Sequence, residues 1–544
     1  MAERIPQSIE YRSQLHTFHQ LSERHVFTVE ADVSEDGKRE LFHYADKVRR
    51  AGNALAAVMR KNMEQLFRTK RYRGLQKAYG KAAESSDETA RKQAAKQMAA
   101  MQRDYSVTWN DCRKAMIPIA KRYGIDAVFG LTKAEDVWSG VEACLYKDGK
   151  TIHFSKREDL PCIRAKQINR GIILRVKDNA LQIKFGRITF GLKTHDRFEA
   201  DEANAIMHYL EQPEVIDRNA VRALFEDRGL VDTYRPCYAS LVCKEIRGRL
   251  RVYVHITVEG KAKPKYNKDG TLRHKYGKGV IGCDIGTQTI AYTSDTEVGL
   301  KNLAERGRSI EKSERMERLL CRAMDRSRRA MNPENYNPDG TVKKGPKKWK
   351  RSKRCIALQK QHKELCRINA ENRRLAINED INYLRSIGNV FVTEPPNAKK
   401  LQRRVKQTTV SEKGKCNRKK RFGKSIKNRC PGTFRMKAKQ VFQSTGGTYM
   451  EVSNHYRASQ YDHTADEYIK KKLSQRMYNL RNGTKVQRDC YASFLLYCIN
   501  QKDGTIDKDK CNNEFDKFWA KENALIEEIR SHKIKVMNSG IKIA

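Results

Sequence analysis

Three carboxylates interrupt runs of strand- and helix-forming residues in this chain. Asp284 lies in VIGCDIGTQTIAYTS (280–294), Glu394 closes the apolar part of GNVFVTEPPN (388–397), and Asp489 opens VQRDCYASFLLYCIN (486–500). Taken singly, each reads as structural, and a lone DxG is a surface aspartate near a turn. Three acids on two core strands and one packed helix are costly to bury unless they share a cation. The chemistry that fits is two-metal hydrolysis of a phosphodiester. Carboxylate oxygens would hold two Mg²⁺ ions about 3.5–4 Å apart, one activating water and one stabilising the leaving oxygen, with no histidine required and Mn²⁺ an alternative.

The elements that must position these acids can be read from their neighbours. Strand alternation puts Val280, Gly282 and Asp284 on one face, and Gly286 permits a tight turn into the returning strand TIAYTS. Val390, Val392 and Glu394 share a face of a short strand that Pro395 and Pro396 end. Asp489 starts an apolar helix, on the face carried on by Ala492, Leu496 and Ile499, and that face is expected to pack on the sheet.

This order, a G-x-D-x-G hairpin, a strand ending in Glu and R-D-x-x-A-S opening a helix, resembles the split RuvC nuclease domain of the RNase H-like fold. More particularly it resembles the transposon-encoded TnpB proteins and the type V CRISPR effectors related to them. Asp284, Glu394 and Asp489 match the three acids of that family's motifs. The motifs cover about half of the chain, and the N-terminal match is one of layout. The resemblance implies a metal-dependent, RNA-guided DNA endonuclease. A guide RNA would pair with one strand of double-stranded target DNA, the protein would read a short adjacent motif, and a single site would cut, leaving a 5′-phosphate and a 3′-hydroxyl. Asp284 would bridge both ions, with Glu394 and Asp489 completing the separate shells. A transposon or CRISPR origin of the guide, and one or two protein copies on the RNA, both stay open.

Composition points the same way independently. In 544 residues, 111 lysines and arginines face 65 acids, a formal charge of +46 that repels itself unless a polyanion neutralises it. Two segments concentrate the charge. GTVKKGPKKWKRSKR (340–354) sets Trp349 among Lys347, Lys348, Lys350 and Arg351, where a base or sugar could stack. The stretch 399–429, with Lys399, Lys400, Arg403, Arg404, Arg418, Lys419, Lys420 and Arg421, holds a single acid, Glu412. The blander reading of both is a solvated loop. With no apolar leader and no run of about 18–20 apolar residues, the expectation is a soluble, cytoplasmic, prokaryotic protein without a membrane partner, associated with the nucleoid when bound to DNA. Fourteen scattered cysteines without a CxxC pair read as free thiols in a reducing compartment, and no ordinary structural zinc site can be drawn.

The expected fold class is multidomain α/β and α+β: an RNase H-like (RuvC) nuclease domain plus a β-rich wedge domain with an inserted helical recognition lobe. HVFTVEADV (25–33) and the strands from about 151 bracket a helical stretch, so 1–39 and 151–275 are assigned to the wedge-like domain and 40–150 to the lobe. Residues 276–544 form the split nuclease domain, with a helical insertion at about 300–387 and a basic target-binding segment at about 398–485. Many members of the family carry a zinc ribbon just before the last acid. Here ASQYDHTADEYIKKKLSQRMYNLRNGTKVQRD has no cysteine, although Ser459, Gln460 and Arg476 keep something of the frame. A zinc-free hairpin or loop held by packing is expected, with Asp462 and His463 in a surface turn. Rival readings are an RNA-guided binder with a silent site, an unguided structure-specific nuclease, and an actin-like ATPase. The last would use 280–294 as a phosphate hairpin and needs a second DxG hairpin (339–341) and a glycine-rich loop (444–452).

Overall fold

The computed structural model describes residues 24–147, 149–167, 169–211, 235–259, 265–267, 269–305, 309–394, 422–453, 456–471 and 475–543. The chain divides into two compact units, Met1–Lys263 and Pro264–Ala544.

In the first unit, strand β1 (Arg24–Asp32) buries Phe27, Val29 and Ala31 by simple alternation. The period then changes. Ser34 caps a 34-residue helix, α1 (Glu35–Arg68), whose buried stripe includes Leu41, Ala45, Val48, Leu55, Met59, Met63 and Leu66. These positions step by threes, fours and one seven, the repeat of a helix with one covered face. Helices α2 (Lys70–Glu84), α3 (Glu88–Asp104), α4 (Trp109–Tyr123) and α5 (Ala127–Tyr146) follow, and the polar tip between α2 and α3 is closed by Asp87 capping Ala90. The chain then returns to β structure. Strands β2 (Cys162–Ala165), β3 (Ile172–Lys177), β4 (Ala180–Phe185) and β5 (Ile188–Lys193), helix α6 (Arg197–Glu211), and strands β6 (Arg235–Ile246) and β7 (Arg249–Glu259) complete the unit. The sheet order is β2-β6-β7-β1-β5-β4-β3. Because β1 pairs antiparallel with both β7 and β5, the five helices leave and re-enter a single sheet. The β6–β7 hairpin turns through Arg247 (φ 50°) and Gly248 (φ 73°), two consecutive left-handed residues whose twist suits a two-residue loop.

The second unit is built on a five-stranded sheet, with β8 (Val280–Ile285), β9 (Thr289–Ser294) and β10 (Val298–Asn302) as an antiparallel meander. Two long helices, α7 (Ile310–Met331) and α8 (Lys353–Ile387), precede β11 (Val390–Thr393). After α9 (Gly423–Arg429) and α10 (Pro431–Ser444) comes β12 (Thr448–Glu451). Both β11 and β12 are parallel to β8, giving the order β10-β9-β8-β11-β12. Two small hairpins, β13 (Tyr461–Asp462) with β14 (Glu467–Tyr468) and β15 (Met477–Asn479) with β16 (Lys485–Gln487), lead into α11 (Arg488–Tyr497) and α12 (Lys508–Ser531).

Alternation along β8 splits the core of this unit in two. Ile281, Cys283 and Ile285 pack with Ile377, Ile381 and Leu384 of α8 and with Phe434 and Phe442 of α10. Val280 and Val392 join the other cluster, with Leu495 and Leu496 of α11. A side chain on Gly282 would meet the backbone of α11, since a Cβ there would lie 2.1 Å from the Ser493 carbonyl oxygen and 2.2 Å from the Tyr497 nitrogen. The glycine lets the helix lie directly on the central strand.

Thirteen cysteines among the described residues are unpaired. No described helix is long and apolar enough to cross a membrane.

Candidate active site

The three acids come from three different elements on the α11 side of the sheet. Asp284 is the penultimate residue of β8, on the Gly282 face. Glu394 directly follows β11, whose Thr393 is in register with Cys283 and donates its hydroxyl to the Cys283 carbonyl at 2.8 Å. That bond ties the ends of the two parallel strands together. Asp489 lies in the first turn of α11, and a 2.7 Å bond between the Thr293 and Ser493 hydroxyls fixes this helix to β9.

The first turn of α11 is set by a residue that the sequence reading passed over. Gln487 caps the helix, its side-chain oxygen accepting from the Asp489 and Cys490 backbone N–H groups at 2.8 Å each. Its own N–H donates to Glu522 Oε1 at 3.0 Å, and its side-chain amide donates to the Ser539 carbonyl at 3.1 Å. Gln487 and Glu522 are fully buried, so the cap is locked from behind by α12 and the C-terminal segment. Glutamine is uncommon as a cap, which is why helix-start signals in the sequence do not disclose it.

Charge shows that the acids are neighbours. Burial, then the charges of Asp489 and Glu394, push the Asp284 carboxyl up to about 8, while Arg488 and Arg476 oppose the rise. Burial also raises Glu394, against a hydrogen bond from the Ala458 backbone. Asp489 is paired instead. Arg488 Nε and Nη2 donate to its Oδ1 at 3.0 and 2.9 Å, and Arg476 Nη1 lies 3.5 Å from its Oδ2. The oxygens of the three acids do not all lie within 4.8 Å of one another. Arg488 was legible only as part of R-D-x-x-A-S. Arg476 stood out only as a remnant of the ribbon frame, yet its backbone carbonyl accepts the Arg488 N–H at 2.8 Å and so joins β15 to the start of α11. The sequence expected the acid-bearing helix face to run on to Ile499. The helix ends at Tyr497 and is buried all round from Asp489, held between the sheet and an aromatic cluster that includes Phe515 and Phe518.

The ribbon-like segment corrects a second expectation. Asp462 and His463 are buried and do not form a surface turn. Asp462 accepts from the Thr464 N–H and hydroxyl through Oδ1 and from the Arg481 N–H through Oδ2. His463 Nδ1 lies 2.6 Å from the Tyr491 hydroxyl, and its ring packs on Phe515. A carboxylate that ties 462–464 to Arg481 and an imidazole set among aromatic rings hold this segment together.

The first basic segment is an exposed loop whose backbone is pinned at a few points. Asn332, fully buried, donates to the Lys350 carbonyl at 2.9 Å and accepts its N–H at 2.6 Å, and Asn335 donates to the Lys348 carbonyl at 2.8 Å. The Lys347 ammonium donates to the Gly345 carbonyl at 2.7 Å. Trp349 is 38% exposed, with the Arg328 guanidinium over its ring and Tyr336 against its edge. One aromatic face is therefore already used by a cation. In the second segment, Lys399, Lys400, Arg403, Arg404, Arg418, Lys419, Lys420 and Arg421 lie outside the described residues. Asp339 spends Oδ1 on the Thr341 N–H and hydroxyl, and 444–452 runs from the end of α10 through Gly446 (φ 75°) into edge strand β12.

No family model matches the chain, and no curated protein matches it. Among solved structures, it is similar to the Cas12f1–sgRNA–target DNA complex, at 8% identity over 88% of this chain and 99% of that one, with a TM-score of 0.40. It is also similar to the mini-RNA-guided endonuclease CRISPR-Cas_phi3, at 11% identity over 57% of this chain and 56% of that one, with a TM-score of 0.25. A third similarity, at 9% identity and a TM-score of 0.23, is to the Cas12i1 R-loop complex after target DNA cleavage, and it covers 95% of this chain and 65% of that one. The chain thus spans little more than half of the second structure and just under two-thirds of the third. At such scores these similarities carry no argument about the fold or the site.

Proposed function

We propose that this protein is an RNA-guided DNA endonuclease that cleaves complementary DNA at a single RuvC-like site formed by Asp284, Glu394 and Asp489. The observation that carries the reading is one of placement: Asp284 near the end of β8, Glu394 just after the paired strand β11 and Asp489 in the first turn of the helix packed on them, near enough for the other two acids to raise the Asp284 carboxyl further than burial alone does. Such a cluster favours a bound cation over bare charges. The supporting frame is the sheet order β10-β9-β8-β11-β12, three antiparallel strands followed by two parallel ones, an arrangement in keeping with an RNase H-like domain.

The donor set fits Mg²⁺, a hard ion that takes carboxylate oxygens. A single ion held by all three acids would need their oxygens to converge more closely than they do. Asp284, Glu394 and Asp489 would between them hold the ions. When bound, the ions would supply charge against the phosphoryl oxygens and acidify water. The chain's own contribution is placement. The bonded strand ends fix Asp284 relative to Glu394, the Gln487 cap fixes Asp489, and Arg476 and Arg488 hold positive charge beside the acids where a phosphodiester would arrive.

The guide-RNA part of the reading rests on the sequence motifs and on the +46 charge, which a guide, a heteroduplex and a displaced strand together would neutralise. In this reading 1–39 and 151–275 are the wedge, 40–150 the recognition lobe and 276–544 the nuclease. The decisive experiment is to express the protein with its native flanking DNA, purify it under nuclease treatment and sequence the protected RNA. One discrete RNA encoded beside the gene, directing Mg²⁺-dependent cutting of complementary DNA that Asp284→Ala abolishes, is the expected result. A random sample of host RNA would overturn the guided reading. A discrete RNA without cutting would leave an RNA-guided binder.

A further inference from the structure

Away from the three acids, helices α7 and α8 bring together four side chains able to ligate a soft metal. Glu317 and Cys321 lie one turn apart on α7, and His362 and Cys366 one turn apart on α8. An i, i+4 spacing puts each pair on one helix face, and the two faces meet. His362 Nε2 is 3.7 Å from Cys321 Sγ, 3.8 Å from Cys366 Sγ and 3.8 Å from Glu317 Oε1. The ligating atoms of Glu317, His362 and Cys366 all lie within 4.8 Å of one another.

An imidazole nitrogen makes one hydrogen bond, as donor or as acceptor. Three partners at nearly equal distances, each longer than a normal bond to nitrogen, therefore exceed what hydrogen bonding asks of His362. A shared ion would satisfy them once Cys366 Sγ, which also lies 4.0 Å from His362 Nδ1, turns toward the Nε2 lone pair. With metal–sulfur and metal–nitrogen bonds of about 2.3 and 2.0–2.1 Å, two ligands of a tetrahedral ion stand about 3.5–3.8 Å apart.

We propose that Glu317, His362 and Cys366 form a structural zinc site that clasps α7 to α8, with Cys321, beside His362, turning in as the fourth ligand. Two thiolates, an imidazole and a carboxylate suit zinc in preference to Mg²⁺. Both thiols would release their protons to solvent on binding. Lys427 of α9 donates to Glu317 Oε1 at 2.9 Å. It would orient the carboxylate from outside the ligand shell and extend the clasp to a third helix. A cleft of about 120 Å³, lined in part by Ser313, Asn369, Arg373 and Lys427, opens beside Glu317 and Cys366. The expectation of no zinc site came from looking for paired cysteines along the sequence, whereas here the ligands are split between helices, with Cys321 and His362 separated by 41 residues.

The test uses the full chain without an affinity tag, reduced, stripped with a chelator and titrated with Co²⁺ alone. The expected spectrum has a sulfur-to-cobalt charge-transfer band and the strong visible bands of a tetrahedral ion, saturating at about one equivalent and displaced by Zn²⁺. His362→Asn and Cys366→Ser should each abolish the bands. Cys321→Ser should weaken the sulfur band by about half, one of two thiolates being lost. Asp284→Ala should leave the bands unchanged, which separates this site from the proposed nuclease centre. A wild-type protein without a sulfur band overturns the proposal, and so does a band that survives Cys366→Ser. The wild-type titration decides even where a variant fails to fold.

Discussion

At the residue scale, the behaviour of Asp284 is set by what surrounds it. Its folded-state pKa of about 8 exceeds the ordinary 3.8, so the folded chain keeps a proton that the unfolded chain has lost. Without divalent cations, the contribution of this group is fully present below about pH 4 and is lost as pH rises to about 8. Thermal melts in chelator should show that decline in wild type and a flatter profile in Asp284→Asn. Added Mg²⁺ should raise the wild-type melting temperature most at the upper end of the window. Identical pH profiles for the two proteins would mean that the carboxyl does not carry the strain assigned to it. In cleavage assays, Asp284→Ala should lower the rate by at least about a thousandfold while guide-RNA affinity stays within about twofold, since binding rests on many cations. Loss of RNA binding in that variant would make the acid a structural one.

At the element scale, the site depends on how closely α11 lies on β8. Gly282→Ala would drive a Cβ into the Ser493 and Tyr497 backbone, and overpacking of this kind costs about 1–3 kcal/mol. Gly432→Ala, near the start of α10 where nothing lies within 4 Å, is the control and should be neutral or slightly stabilising. Urea unfolding of the two variants separates a specific contact from a general intolerance of alanine. Gln487→Ala removes the α11 cap and should cost about 1–2 kcal/mol, with a further loss of activity if Asp489 swings out of place. Normal cutting by this variant would show that the arginine pairs alone are enough to orient Asp489.

At the scale of the whole molecule, charge governs affinity more than any single contact does. Replacing Arg418, Lys419, Lys420 and Arg421 together by alanine should weaken nucleic-acid binding. Counterion release of about 0.7 per phosphate contact on a single strand implies a log–log salt slope shallower by as much as about 3. An unchanged slope, measured by titration at several salt concentrations, would remove this segment from the interface. The exposed loop at 340–354 is expected to contribute less per residue, because one face of Trp349 is already taken by Arg328 and part of the lysine backbone is clamped by Asn332 and Asn335.

The sequence by itself determined what depends on local period and steric rule. The change from alternation in β1 to a three-and-four stripe in α1, the β6–β7 turn at Arg247 and Gly248, and the face shared by Gly282 and Asp284 are all set within a few residues, so they were legible before any contact was known. What depends on distant partners was not. The Gln487 cap needs Glu522 and Ser539 behind it, the pairing of Asp489 needs Arg476 from a separate hairpin, and Asp462 and His463 are buried because α11 and α12 supply an aromatic wall. The cluster of Glu317, Cys321, His362 and Cys366 is the clearest case. Each helix shows only two ligand types one turn apart, and only the packing of α7 against α8 brings Glu317, His362 and Cys366 together, with Cys321 beside His362. Local rules choose the faces, and tertiary packing decides which faces meet.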